Sequence, residues 1–192
     1  ATGALSNKRP LSPSVNDTVP TFTSLGTTSI GMDFNPTLAN GASLRLLSAA
    51  DPSTTENNIR IDAGPGTTAG ETFSDTDLTD ADTLMDVTAD AAVHDFGFKG
   101  SPGSSLYAIS IAGNLLYKAG ANPNNGELTS VDNTTPLFGP TGVQDISPEF
   151  VAMDVVGGRN GMSLMATYSA ANGSQLWRLD LGSSGFSALP AT

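Results

Sequence analysis

The sequence predicts an all-β, propeller-like fold of about three four-stranded antiparallel blades with an extended N-terminal arm. Three observations carry that prediction. From Thr21 onward, short apolar runs rich in β-branched and aromatic residues recur, separated by Gly-containing turns about every ten residues, which suits a meander. The runs fall into units that repeat at intervals of about 60 residues. Asn-Gly, favoured where a tight hairpin needs positive φ at both central residues, occurs at Asn40-Gly41, Asn125-Gly126, Asn160-Gly161 and Asn172-Gly173.

Composition narrows the function classes. The 192 residues carry 8 Lys+Arg against 19 Asp+Glu, a formal net charge of −11, which would repel both nucleic-acid phosphate and an anionic membrane surface. Only 14% of residues are charged, so much of the surface is neutral Ser, Thr, Asn and Gly. With no Cys, the chain has no disulfide, thiolate metal site or cysteine nucleophile. No stretch approaches the roughly 18 apolar residues of a membrane-spanning helix. The opening Ala1-Thr2-Gly3-Ala4 reads as a mature terminus after leader removal, so the expectation is an exported protein: extracellular, at the cell surface or periplasmic.

Residues 1–20 hold Pro10, Pro13 and Pro20 among Ser, Asn and Thr, with no helical or strand period, and read as an extended arm. The rest, 21–192, reads as a single domain. Its first unit, 21–70, has strands at Gly31-Met32-Asp33-Phe34, Leu44-Arg45-Leu46-Leu47 and Asn58-Ile59-Arg60-Ile61-Asp62, with a turn at Gly64 to Gly66 before a fourth. An acidic insert, 71–90, follows. The second unit, 91–135, opens at His94-Asp95-Phe96-Gly97 and continues through Leu106-Tyr107-Ala108-Ile109, Asn114-Leu115-Leu116-Tyr117 and Glu127 to Val131. In the third, 148–192, the matching segments are Ala152-Met153-Asp154-Val155, Ser163-Leu164-Met165-Ala166, Leu176-Trp177-Arg178-Leu179-Asp180 and Phe186 to Leu189. Period-two alternation turns Ile59, Ile61, Trp177 and Leu179 into the core and leaves Arg60 with Asp62, and Arg178 with Asp180, to pair on the opposite face.

Candidate sites are few. The lone histidine, His94, adjoins Asp95, but neighbours in a strand point to opposite faces, so the pair cannot form the hydrogen-bonded base and orienting acid of a triad. The one concentrated set of oxygen ligands lies in the acidic insert: Asp75, Asp77, Thr79 and Asp86 occupy positions one, three, five and twelve of a calcium loop. Asp80 stands at position six where the sharp turn wants Gly, and twelve is Asp rather than the longer Glu, so a solvated acidic loop competes with a calcium site. With a single Trp and 6% aromatic residues, the stacking platform of a sugar-binding cleft is missing.

The segments Ile30-Gly31-Met32-Asp33-Phe34-Asn35-Pro36, Leu44 to Ser48 and Asn58 to Asp62 resemble the "G-F-D-F-N-P", "R-V-V-S" and "N-L-R-x-N" core of the bacterial domain of unknown function 4394 family. Ser105 to Ile109, Asn122-Pro123-Asn124-Asn125-Gly126 with Leu128 to Val131, and Phe150 to Val155 are similar to its later segments, in order. The likeness covers about residues 25–190. It implies an exported, propeller-like protein with no assigned activity and no catalytic residues to carry over. The chain departs from the family in having only the Pro-rich arm where a further blade-like repeat is usual.

Three four-stranded units are too few to close a propeller ring, which takes about four to eight blades. Unpaired, weakly charged strand edges invite another chain. The expected function is therefore that of a non-enzymatic structural or protein-interaction subunit of a larger bacterial assembly, associating through blade edges and the arm with another copy or another protein. The alternative is a calcium- or glycan-binding module. No cofactor other than candidate calcium is expected, nor any nucleic acid or membrane insertion.

Overall fold

The computed structural model describes residues 10–17, 29–37, 43–48, 58–64, 68–95, 103–132, 136–139, 148–155 and 162–182, and the backbone of 186–188. Within them the chain is all-β, with three separate sheets and one 3-10 turn at Pro123–Asn125. The first sheet comprises β1 (Ser12–Pro13), β2 (Ile30–Phe34), β3 (Ser43–Ser48), β4 (Asn58–Asp62) and β5 (Glu71–Ser74), in the order β1-β5-β4-β3-β2. The second repeats that order with β6 (Thr79–Asp80), β7 (Ala91–His94), β8 (Leu106–Ser110), β9 (Leu115–Ala119) and β10 (Glu127–Ser130) as β6-β10-β9-β8-β7. The third is a four-stranded meander of β11 (Phe150–Val155), β12 (Met162–Ser169), β13 (Gly173–Asp180) and β14 (Phe186–Ala188). None of the sheets closes on itself.

The antiparallel meanders fall where alternation and turn residues place them, but each of the first two sheets gains an unforeseen strand. Ser12–Pro13 runs parallel to β5, and Thr79–Asp80 runs parallel to β10. Part of the N-terminal arm is thus the outermost strand of its own sheet, secured by Ser12 N–H to the Gly70 carbonyl and Ser14 N–H to the Thr72 carbonyl at 3.0 and 2.8 Å. Proline fits there because an outermost strand need not donate from every N–H. Residues 71–90 are likewise not a loop inserted between units: β5 completes the first sheet and β6 borders the second. Asn40-Gly41 and Asn160-Gly161 lie outside the described residues; in the other two pairs Gly126 and Gly173 adopt positive φ, at 72° and 68°, but Asn125 and Asn172 do not, and Asn125-Gly126 closes a 3-10 turn rather than the expected hairpin with positive φ at both residues.

Strand pairing also fixes which positions correspond between sheets. Asp33 lies opposite Arg45, Val93 opposite Tyr107 and Asp154 opposite Leu164, so Val93, not Asp95, holds the place of the two aspartates. On the third strands, Asn58, Leu116 and Leu176 correspond, two residues on from the alignment through Asn114. A shift of two preserves the face, so the inside-outside assignments survive it.

The first strands form the common spine: β2 lies against β7, and β7 against β11. Leu47 of the first sheet packs with Leu78, Ala92, Leu106, Tyr117 and Leu128 in one apolar cluster. On its other face the second sheet sends Val93, Tyr107, Ile109 and Leu116 into a second cluster with Val151, Met165, Trp177 and Leu179 of the third. The middle sheet is therefore covered on both faces, and all five residues of β8 are buried. In β12 and β13 buried and more exposed residues alternate, with Trp177 and Leu179 inside as expected and the Trp177 indole N–H donating to Thr167 Oγ1 at 2.9 Å.

The spine requires a glycine at one place. A Cβ on Gly31 would sit 2.3 Å from Ala92 N and 2.4 Å from the Ala91 carbonyl carbon, both backbone atoms that cannot move aside cheaply. Gly31→Ala is therefore expected to destabilise the protein by about 1–3 kcal/mol in urea unfolding, the usual range for overpacking. Gly103→Ala, whose added Cβ meets nothing within 4 Å, should leave the midpoint in place.

Candidate interaction surface

Alternation along the third sheet sends one set of side chains toward the second sheet and leaves the other facing out. Phe150, Tyr168 and Leu176 on that outer face are 59%, 42% and 47% exposed. Cross-strand register joins them through Ala152, Ala166 and Leu164: Phe150 opposes Tyr168, Ala152 opposes Ala166, and Ala166 opposes Leu176. The Phe150 and Tyr168 rings are 6.2 Å apart, a distance at which aromatic pairs attract. Asp154, Arg178 and Asp180 border the patch at one end, and Arg178 directs its guanidinium to Met162 Sδ at 2.7 Å.

The corresponding faces of the other two sheets are covered. Leu47 and Ile109 stand where the third sheet has Ala166, and Asn58 and Leu116 where it has Leu176; all four are buried between sheets. A second exposed apolar pair lies at the opposite end of the stack, on β2, where Met32 is 63% and Phe34 53% exposed. Their counterparts on β7, Ala92 and His94, are buried against the first sheet.

The expected calcium ligands do other work. Asp75 accepts from both arginines of the first sheet: Arg45 Nη1 at 2.6 Å, and Arg60 through Nε at 2.7 Å and Nη2 at 2.9 Å. Arg45 also donates to Asn58 Oδ1 at 2.7 Å and, across to the second sheet's 3-10 turn, to Asn124 Oδ1 at 2.6 Å. Burial pulls the Arg45 guanidinium below its ordinary pKa, against the opposing attraction of Asp75. Thr79 belongs to β6 and bridges to Asp86 through the backbone. Asp77 contributes its carbonyl to a tight approach to Gly126, where a Cβ would lie 2.0 Å from that oxygen. Among the described residues no group of three or more His, Asp or Glu is placed to hold a metal ion.

Asp80, at the end of β6, accepts from the N–H groups of Asp82 and Thr83, both at 2.9 Å. Burial alone would raise its carboxyl pKa, but those bonds and the Tyr117 hydroxyl hold it below the ordinary value. The expected Arg60–Asp62 and Arg178–Asp180 pairs give way to nearer partners. Arg60 turns to Asp75, Asp62 accepts from Gly64 N–H and Thr68 Oγ1, and Asp180 accepts from Gly182 N–H. A carboxylate at a strand end meets the free amides of the following turn at short range, without ordering a long arginine side chain.

His94 and Asp95 separate as alternation requires. Asp95 Oδ1 takes the Ser105 N–H, while the His94 ring is buried with Ser104 Oγ 3.4 Å from Nδ1 and no partner at Nε2. Burial, reinforced by the Arg45 charge, pushes the imidazole down to about 4, so it is neutral at pH 7. Its backbone N–H donates to Asp33 Oδ2 at 2.6 Å, tying the first sheet to the second. A cleft of about 300 Å³ opens between the second and third sheets, lined by Tyr107, Lys118, Thr129, Ser130, Leu181 and Gly182. Lys118 Nζ lies over the Tyr107 ring at 5.7 Å. Among the described residues the cleft brings together one cation and several hydroxyls.

A family model described as Domain of unknown function (DUF4394) matches residues 7–190. No curated protein and no solved structure matches the chain.

Two measurements test the buried polar groups. Asp75→Asn leaves Arg45 buried without its countercharge and is expected to cost about 3–5 kcal/mol in chemical denaturation. The double variant with Arg45→Met should recover part of that loss, because an apolar side chain needs no countercharge. In a pH series, His94 is neutral in both states above pH 6.5, and its contribution is then complete. Between pH 6.5 and about 4 the unfolded chain takes up the proton that the native chain refuses, so stability falls by roughly 3 kcal/mol. Asp33 acts in the opposite sense: burial raises its carboxyl pKa against hydrogen bonds from His94 and Phe34, so its contribution grows on acidification. His94→Asn should lose the fall in stability that comes from the imidazole while keeping the opposite contribution of Asp33, and a slope unchanged in that variant would assign it to other groups.

Proposed function

We propose that this chain, which belongs to the family described as Domain of unknown function (DUF4394), is a non-enzymatic protein-interaction subunit of a larger bacterial assembly. In this proposal it is exported, its three sheets are consecutive blades of a propeller, and it associates through blade faces that the chain leaves open. The observation that carries the proposal is the outer face of the third sheet, where Phe150, Tyr168 and Leu176 form an exposed apolar patch in register with Ala152 and Ala166. Contiguous apolar surface of this kind marks protein contact rather than ordinary solvent exposure.

Other features support it. The spine β2-β7-β11 and the meander order of each sheet suit blades radiating from a common axis. The outer edges of the first two sheets are occupied by β1 and β6, so faces offer more surface for partners than those edges do. The one histidine is buried and neutral, which gives it no general-base role at the surface. Among the described residues no helix is long and apolar enough to cross a membrane.

A photo-crosslinking amino acid in place of Leu176, introduced in the native host and read by mass spectrometry, should capture protein partners at that face. The same probe at Leu84, exposed on the turn after β6, serves as the reference position. Capture no greater at 176 than at 84 would remove the basis for the proposal.

A further inference from the structure

We infer that the cleft between the second and third sheets binds a small organic acid with one carboxylate and an apolar body, the carboxylate held by Lys118. The cleft lies on the inner face of the third sheet and Leu176 on the outer one, so the two sites are separate. One position is common to all three sheets. By register, Arg45 and Arg60 of the first sheet correspond to Tyr107 and Lys118 of the second, and to Leu164 and Arg178 of the third. The third strand of every sheet therefore bears a cation at this place.

What differs is the countercharge. In the first sheet Asp75 stands two residues beyond Phe73, the residue opposite Arg60, and accepts from both arginines. Two residues beyond Thr129, the residue opposite Lys118, the second sheet has Val131. Backbone bonds match as well: Asp75 N–H donates to the Asn58 carbonyl at 2.9 Å, and Val131 N–H donates to the corresponding Leu116 carbonyl at 2.9 Å. Lys118 thus holds the place of an ion-paired arginine, with valine where the carboxylate belongs. Among the described residues it makes no ion pair, and its ammonium lies over the Tyr107 ring at 5.7 Å.

The cleft opens at this point. Its volume of about 300 Å³ is at the lower end of the range for small-molecule sites. Lys118 and Thr129 supply a cation and a hydroxyl, while Tyr107, Ala119, Val131 and Leu181 supply apolar surface. Tyr107 is no countercharge, because burial, and then the Asp95 charge, raise its phenol above the ordinary pKa and keep it neutral at pH 7. Asp180, next to Leu181, accepts from the Gly182 N–H at 2.9 Å and makes no ion pair with Lys118. A carboxylate brought in by a ligand gains a charge-assisted hydrogen bond from Lys118, and the apolar walls cover the rest of the molecule. One cation in a chain of net charge −11 disfavours a ligand with a second anionic group.

Benzoate is a suitable probe. Titrated into the 192-residue chain and followed by amide chemical shifts, it is expected to saturate with a Kd of roughly 1 mM, moving Lys118, Thr129 and Leu181 most. Benzyl alcohol, with the ring but no charge, and inorganic phosphate, with charge but no ring, should each bind at least about fivefold more weakly. Lys118→Gln, at an exposed position, should weaken benzoate at least about fivefold, leave benzyl alcohol unaffected and keep the wild-type melting temperature. Val131→Asp restores the first sheet's arrangement and should exclude benzoate, whereas Val131→Asn, of similar size but uncharged, should still bind it. Absence of saturable binding, shifts centred away from the cleft, or an affinity unaltered in Lys118→Gln would each overturn the inference. Benzyl alcohol or phosphate binding as tightly as benzoate would overturn it too. So would tighter binding of a peptide through its C-terminal carboxylate, which would reassign the cleft to a protein terminus.

Discussion

At Gly31 the backbone of β2 comes so close to β7 that a single methyl group would overlap Ala92 N, and the arrangement of the sheets follows from that approach. With the first strands in contact, Leu47 reaches the second sheet's cluster and Asp33 reaches the His94 amide. The next step, β7 against β11, repeats the geometry with Ala91 in the corresponding place. Each sheet is then committed to burying one face against its successor, and the third is the one whose outgoing face remains exposed.

Polar groups follow the same geometry. The first sheet turns Arg45, Asn58 and Arg60 toward the second, where most sheets would place apolar residues. Asp75, just beyond β5, accepts from both guanidinium groups, and Asn58 and Asn124 take up further donors. Removing either member of such a buried pair costs far more than the pair contributes over an apolar equivalent. The group serves to fix which sheet meets which, since only the turn at Pro123–Asn125 brings Asn124 to Arg45. Beside it, the buried His94 stays neutral chiefly because burial penalises its charged form, and further because the Arg45 charge repels it.

Two regions that look unlike blades in the sequence turn out to be equivalent. The Pro-rich arm and the acidic stretch both contribute a two-residue strand that runs parallel to the last strand of the unit that follows. Each strand occupies the outer edge of its sheet, where an unpaired ladder would otherwise recruit another chain. In the proposed association that favours sheet faces over strand edges, and it gives the acidic residues local duties: Asp17 accepts from Ser74 N–H at 2.8 Å, and Asp80 closes its own turn.

Much was legible in the sequence because it is local. Period-two alternation placed Trp177, Leu179, Ile59 and Ile61 inside, turn residues marked the strand ends, and the repeat of about 60 residues set the number of sheets. Even the middle position of the second sheet has a signature, since Leu106-Tyr107-Ala108-Ile109 is a nearly continuous apolar run while Met162 to Ser169 alternates. What the sequence could not assign are partners distant along the chain. Asp75 pairs with residues 30 and 15 positions away, Arg45 reaches Asn124 at a separation of 79, and Ser12 finds Glu71. Spacing alone suggested Asp75 as a calcium ligand; that two guanidinium groups lie against it is visible only in the fold. Which apolar face stays open was likewise a tertiary decision, because the strand pattern fixes only that each sheet has two faces, and the stacking of one sheet on the next determines which face is covered.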